Sequence, residues 1–233
     1  RQNKRGIKVS PAGSGSDDDS AELLAARVRQ IEYEGKAVPA RITSAENMIQ
    51  RSFGFYGIGT RYKNDTSFDQ ELYYRRVGNP RAIYLSPDFK EADASDMDYA
   101  FWIDSLPWDK YKRDYRQARV TSFASDQFVL AHGWTSEKRV QVAEYWKVIK
   151  EPEELRLLDD GTTLRDGMEL PQGRSLASDL DGKPRSRKIH KRRIVQYITN
   201  GLEILEENEW PGKWIPIFPM WGKELFVWEE FEY

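Results

Sequence analysis

Trp210-Pro211-Gly212-Lys213-Trp214-Ile215-Pro216-Ile217-Phe218-Pro219-Met220-Trp221-Gly222 threads three prolines and three tryptophans through one apolar run. Proline has no amide hydrogen to give to a β ladder, so within sheets it is confined to edge strands, strand starts and bulges. Pro216 and Pro219 therefore argue against a central strand and against an interior helix. The run predicts a stiff, extended segment whose large side chains pack against something. Such a segment builds shape rather than a catalytic pocket.

Outward from this run the chain reads as strands. Residues 194–198 and 202–205 flank Thr199-Asn200-Gly201, and Asn-Gly is the strongest short hairpin signal. Residues 140–149 alternate as a strand, and 155–158 follow before a turn at Asp159-Asp160-Gly161. The polar stretch 161–184 reads as weakly structured. Further upstream, 60–63 and 71–77 form the two arms of a hairpin, Asn79-Pro80 is a turn, and 82–85 and 99–103 are short strands. A short helix is expected over 107–115, with Trp108, Tyr111 and Tyr115 on one face.

The first quarter reads as helical. Residues 11–20 form a linker that ends in aspartates suited to cap a helix and to favour its positive end. Leu24, Val28 and Ile31 then make an apolar stripe, and Gly35 ends that helix. A second helix is expected over 39–53, with Pro39 in its first turn and Ile42, Ala45 and Ile49 on one face. Gly54, Gly57 and Gly59 punctuate the exit. Helices first and strands afterwards predict an α+β fold: an N-terminal segment 1–19, a helix pair 20–56 and a mostly antiparallel β-rich region 57–233.

Composition sets limits on function. The 233 residues are 39% hydrophobic and 32% charged, with a net charge of −2. That balance is too neutral to imply a nucleic-acid or membrane partner for the chain as a whole. Mean hydropathy is −0.75, and no run approaches the eighteen consecutive apolar residues of a membrane-spanning helix. Cysteine is absent, which excludes disulfides, thiolate metal sites and a cysteine nucleophile. The chain opens without Met and closes on Trp228, Phe231 and Tyr233 with no terminating element, which reads as a segment excised from a longer protein.

Each candidate for chemistry has a plain alternative. Gly54, Gly57 and Gly59 resemble a phosphate loop in composition, but a dinucleotide fingerprint runs from strand to helix and this one runs from helix to strand, so capping is the preferred reading. Asp88, Glu91, Asp93, Asp96 and Asp98 offer oxygen ligands for a hard cation or a metal-dependent nuclease, yet they lack the alternation and the central glycine of a calcium loop, so a solvated loop is preferred. His132 and His190 are the two imidazoles, and no nucleophile elbow accompanies them. The sharpest charge feature is the basic tract Lys183, Arg185, Arg187, Lys188, Lys191, Arg192 and Arg193. It suits nucleic-acid phosphates or an acidic protein face, or it is a solvated strand balanced by carboxylates elsewhere. Trp210, Trp214 and Trp221 are either core or interface anchors.

An ordered set of segments then carries a family resemblance. It comprises the helix pair with its exit into Thr60-Arg61-Tyr62, Ser67-Phe68-Asp69-Gln70-Glu71-Leu72, Arg76-Val77-Gly78-Asn79-Pro80-Arg81-Ala82-Ile83-Tyr84 and Ala92-Asp93-Ala94-Ser95-Asp96-Met97-Asp98-Tyr99-Ala100. It continues through Val142-Ala143-Glu144-Tyr145-Trp146, Lys191-Arg192-Arg193-Ile194-Val195 and the 210–222 run. Together they resemble the wing side of portal (head-to-tail connector) proteins of short-tailed bacteriophages. The resemblance implies a structural subunit, not an enzyme, with no cofactor or bound metal. It implies a ring, usually of twelve copies, at one capsid vertex of the virion, assembled in the host cytoplasm. Double-stranded DNA would pass through the ring, and terminase, capsid or scaffold and tail-adaptor proteins would dock on it. The stem, clip and crown of such a subunit lie outside the resemblance. The basic tract would serve protein contacts first. The alternatives are a non-specific nucleic-acid-binding module using residues 183–193 and, less favoured, a metal-dependent nuclease.

Overall fold

The computed structural model describes residues 7–11, 17–116, 118, 138–179 and 182–223. His132, Trp228, Phe231 and Tyr233 lie outside the described residues. The fold is α+β: three α-helices and nine strands among the described residues, in mostly antiparallel sheets. The chain divides into two compact units. One comprises Arg1–Tyr84, Phe89–Asp96 and Pro216–Tyr233, and the other Leu85–Asp88 and Met97–Ile215.

In the first unit, α1 (Asp18–Glu34) begins at Asp17, whose carboxylate accepts the Ser20 amide at 2.7 Å. That bond holds the Asp17 carboxyl below its ordinary range. Gly35 ends the helix, its N–H donating to Ile31 O at 2.8 Å. The second helix, α2 (Ala37–Arg51), is followed by β1 (Phe53–Tyr62), β2 (Gln70–Arg76) and, far along the chain, β9 (Ile217–Trp221). The strand order is β2-β1-β9. Pro219 thus lies on an edge strand, opposite Phe55, as the proline rule requires.

Two expectations for this unit fail. Gly54, Gly57 and Gly59 sit inside β1 and do not punctuate a turn. The buried residues of α2 are Ala37, Ala40, Thr43, Ser44 and Asn47, while Ile49 is 79% exposed. The helix lies so close to the strand that only small residues fit between them. A Cβ on Gly54 would stand 2.8 Å from the Ser44 carbonyl carbon and nearer still to its oxygen. Asn47 then ties the helix to the sheet region through Nδ2–H to Val77 O at 3.2 Å.

The second unit contains β4 (Tyr99–Pro107), α3 (Trp108–Asp114), β5 (Arg139–Leu157), β6 (Thr163–Arg165), β7 (Ser186–Thr199) and β8 (Ile204–Trp210). β3 (Ile83–Leu85) lies mostly in the first unit, and the sheet of the second runs β4-β5-β7-β8, with β6 beside β5. The helix α3 buries Tyr111 against Val140, Val142 and Ile198, and Trp108 meets the Tyr111 ring edge-on at 5.9 Å. The Asn-Gly hairpin forms as the sequence predicts, between β7 and β8. Asn200 is buried there. Its Oδ1 accepts the Leu202 and Glu203 amides, and its Nδ2 donates to the Tyr111 hydroxyl at 2.9 Å.

A single 19-residue strand replaces the two pieces expected around Pro152. Pro152 pairs opposite His190 without breaking the ladder. The partly structured stretch 161–184 includes β6 and two isolated bridges, Leu158 to Leu176 and Ser178 to Pro184.

Candidate interaction surface

The basic tract lies on one structural feature. β8 ends opposite Ile194, where Trp210 faces it, and Pro211 follows. Beyond that point β7 pairs on one side with β5, from Arg193 opposite Ile149 to Ser186 opposite Arg156. No described strand covers its other side there. The tract therefore lies on a ribbon of β7 against β5 that outruns the edge strand β8, with β6 on the other side of β5 at Leu155–Leu157.

Alternation splits its charges between two faces. Arg187, Lys191 and Arg193 share the face of Leu155, Glu153 and Glu151, while Lys188, His190 and Arg192 share the face of Glu154, Pro152 and Lys150. Arg193 reaches Glu151 at 3.6 Å and Glu209 at 3.9 Å. Lys183 and Arg185 precede the strand, and Arg185 pairs with Asp179 at 3.3 Å. Glu154 is held below its ordinary range, first by a hydrogen bond from Ser186 and then by Arg156. Arg187 and Lys191 are exposed and have no ion-pair partner among the described residues.

Sequence reading missed the acidic counterpart. β8 carries Glu206, Glu207 and Glu209, all exposed, on the sheet's edge. Neither Glu206 nor Glu207 has an ion-pair partner among the described residues. The signal was present in the sequence, since glutamates crowd 203–209 directly after the basic tract. The sheet face of Arg187 and Lys191 also carries a row of rings. Phe101 stacks on Tyr145 at 4.5 Å, and Tyr145 on Tyr197 at 6.0 Å. Burial, followed by the nearby Tyr99, raises the Tyr145 hydroxyl above its ordinary value.

The three tryptophans do not form one site. Trp210 ends β8, where Trp146 meets its ring at 5.8 Å, edge to face. Trp214 is 44% exposed beneath the Lys213 ammonium, 4.7 Å from its ring. Trp221 belongs to the first unit, edge-on to Phe55 and stacked on Phe89, and its Nε1–H donates to Ala92 O at 2.7 Å.

In the acidic loop Asp93 and Asp96 are turned on the loop itself, while Asp98 pairs with Lys150 of β5 at 2.6 Å. Asp96 accepts the Lys90 amide at 2.7 Å and the Glu91 amide at 3.2 Å, and Asp93 accepts the Ser95 amide at 3.0 Å. These bonds lower both carboxyls from their ordinary values, the largest cause being Lys90 for Asp96 and Ser95 for Asp93. Among the described residues no three His, Asp or Glu side chains are gathered to hold a metal ion. No described helix is long and apolar enough to cross a membrane.

Comparison with known proteins follows the same lines. Residues 1–232 match the profile of the family described as phage P22-like portal protein. A protein named "Portal protein", from Acyrthosiphon pisum secondary endosymbiont phage 1, is 24% identical over 237 aligned positions. The alignment covers 97% of this chain and 33% of that relative, so the chain spans about a third of the relative's length.

Proposed function

The chain belongs to the phage P22-like portal protein family, and on that premise we propose that it is part of a structural subunit of the portal ring at one capsid vertex. In this reading the complete polypeptide assembles in the host cytoplasm, usually as twelve copies. Double-stranded DNA enters and leaves through the ring, and capsid or scaffold, terminase and tail-adaptor proteins dock around it. The family match over residues 1–232 is the observation that carries the reading. The role is mechanical and not catalytic. The sequence has no phosphate-binding motif of the nucleotide-hydrolysing kind, and Asp93 and Asp96 are engaged by backbone amides of their own loop. Within this reading the basic tract 183–193 and the exposed Trp214 serve protein contacts.

Immunogold labelling of phage particles with an antibody to this chain tests the proposal. One focus of label per capsid is expected, and label spread over many vertices overturns it. Incubation with ATP, and with linear DNA and Mg²⁺, tests the mechanical role. Turnover that scales with protein and disappears in Asp96→Asn would favour a nuclease instead.

A further inference from the structure

The basic tract has an open backbone edge. Along an antiparallel ladder each residue turns its N–H and C=O to one neighbouring strand, and the next residue turns them to the other side. Leu157 N–H donates to Arg185 O at 2.9 Å, whereas Val148 N–H donates to Asp98 O at 2.8 Å. Odd residues of β5 therefore bond toward β7, and even ones turn away from it. By the register, Arg187, Ile189 and Lys191 bond β5, while Ser186, Lys188 and His190 turn their backbone groups outward. β8 takes that outer side of β7 only from Ile194 onward. Residues 186–193 thus leave an edge that no described strand pairs, about 26 Å long at roughly 3.3 Å per residue. The other edge of the same ribbon is guarded. Pro152 is an even residue of β5, so its missing N–H falls in the gap between the last β4 pair, at Lys147, and the first β6 pair, at Leu155. β7 carries no proline in 186–193.

We propose that this edge, through the outward N–H and C=O groups of Ser186, Lys188 and His190, binds an extended acidic segment of a partner protein as an added strand. The backbone supplies the mode of binding, and the side chains select the sign. Over 150–156 and 186–193 the ribbon carries seven basic side chains against three glutamates, Glu151, Glu153 and Glu154. All three glutamates stand on β5. An added strand would lie about 4.8 Å from β7 and about twice that from β5, beyond the Debye length of about 8 Å at physiological salt. Glu151 is moreover engaged by Arg193, and Glu154 by Arg156. Beside the edge itself, Arg187 and Lys191 flank one face of the added strand and Lys188 the other. Basic side chains on an exposed edge repel a strand of like charge. They leave an acidic strand as the one that pairs without repulsion on either face. The inference rests on the reading of residues 183–193 as a protein-contact surface, and it gives that contact a geometry and the partner's chemistry.

The probe is a fluorescein-labelled eight-residue peptide of alternating Glu and Thr, capped at both ends and titrated with the chain. Saturable binding is expected by anisotropy. His190→Pro should weaken it about tenfold, because one outward N–H is lost to the added strand. That N–H bonds no described residue, so the ladder to β5 is kept and the thermal midpoint should hold. Lys188→Pro tests the same point should the first variant fail to fold. Hydrogen exchange followed by NMR gives the signature of strand addition. The Lys188 and His190 amides should gain protection with the peptide, while those of Ile189 and Lys191, already bonded to β5, should not change. A peptide methylated at every backbone nitrogen keeps its carboxylates and should not bind. Equal binding of that peptide overturns the proposal, as does unchanged exchange at Lys188 and His190. Duplex DNA that displaces the peptide and binds more tightly than the non-specific range of about 10⁻⁴–10⁻⁶ M also overturns it, making the tract a nucleic-acid surface. Self-association that protects the same two amides without peptide overturns it in favour of a second copy. The complete polypeptide separates this proposal from the ring reading. Rings that do not bind the peptide sink the docking edge alone, and peptide binding by a polypeptide that forms no rings sinks the ring reading alone.

Discussion

Gly54→Ala tests how the first unit is held together. The added methyl would stand 2.8 Å from the Ser44 carbonyl carbon and 3.1 Å from its Cα, with the oxygen closer still. Ordinary contact begins near 3.4 Å. The obstacle is helix backbone, which cannot swing aside as a side chain would, so α2 has to lift off β1 as a body. Lifting it loosens the buried Ala40, Ser44 and Asn47 together. Overpacking a core costs about 1–3 kcal/mol, and the rigid obstacle places this case at the upper end. The smaller entropy that alanine loses on folding offsets about 0.4–1 kcal/mol. The net loss is about 2 kcal/mol, a urea midpoint shift of roughly 1 M at a slope near 2 kcal/mol per M. Gly78→Ala is the control, because nothing lies within 4 Å of its new Cβ. Its stability should stay within about 0.5 kcal/mol of the parent. Urea unfolding followed by circular dichroism and tryptophan fluorescence reads both variants. The two units call for coincidence of the probes before a two-state fit. Gly54→Ala unfolding at the same midpoint as Gly78→Ala would refute the close helix–strand contact.

Three further outcomes are expected. Trp221→Ala removes ring contacts with Phe55 and Phe89 and the bond to Ala92, and should cost about 3–5 kcal/mol, whereas Trp214→Ala, at an exposed position, should cost under about 1 kcal/mol; equal losses in denaturation would contradict these placements. Asn200→Ala leaves the Leu202 and Glu203 amides and the Tyr111 hydroxyl without their partner, a loss of about 2–3 kcal/mol in thermal or urea unfolding; a neutral result would deny the buried hairpin anchor. Burial, and then the carboxylates of Glu206, Asp114 and Glu144, push the Tyr115 hydroxyl from an ordinary value of 10 up to about 12. Because its folded value is raised, its contribution is intact below pH 10 and is lost as pH climbs from about 10 to 12. Tyr115→Phe should flatten that alkaline decline, and an ultraviolet phenolate titration showing Tyr115 at its ordinary value would contradict it.

What the sequence revealed depended on whether the deciding signal was local. Asn200-Gly201 fixes its own turn, so the β7–β8 hairpin was readable, as was the α3 face of Trp108 and Tyr111. Pro216 and Pro219 likewise argued against a central strand by lacking amide hydrogens, and Pro219 lies on the edge strand β9. Gly54 carries no such declaration. Its role depends on Ser44, on a helix that meets β1 only after folding, and that approach also turned the α2 inner face away from Ile49. Residues 140–149 and 155–158 read as separate pieces because local rules cannot see β7 pairing across Pro152. The fate of the tryptophans was also non-local. β9 returns to β1 from far along the chain, which takes Trp221 into the first unit and leaves Trp214 exposed. The basic tract was legible as charge. Its acidic counterpart on β8 was not, because only the register reveals that the two patches sit at opposite ends of one hairpin.

Membership of the portal family leads most directly to one image. Electron microscopy of the purified full-length polypeptide that carries this chain is expected to show closed rings, of about twelve copies by family resemblance, around a central channel wide enough for duplex DNA. Discrete monomers or dimers without a channel, at concentrations where the protein is soluble and folded, would contradict the portal role.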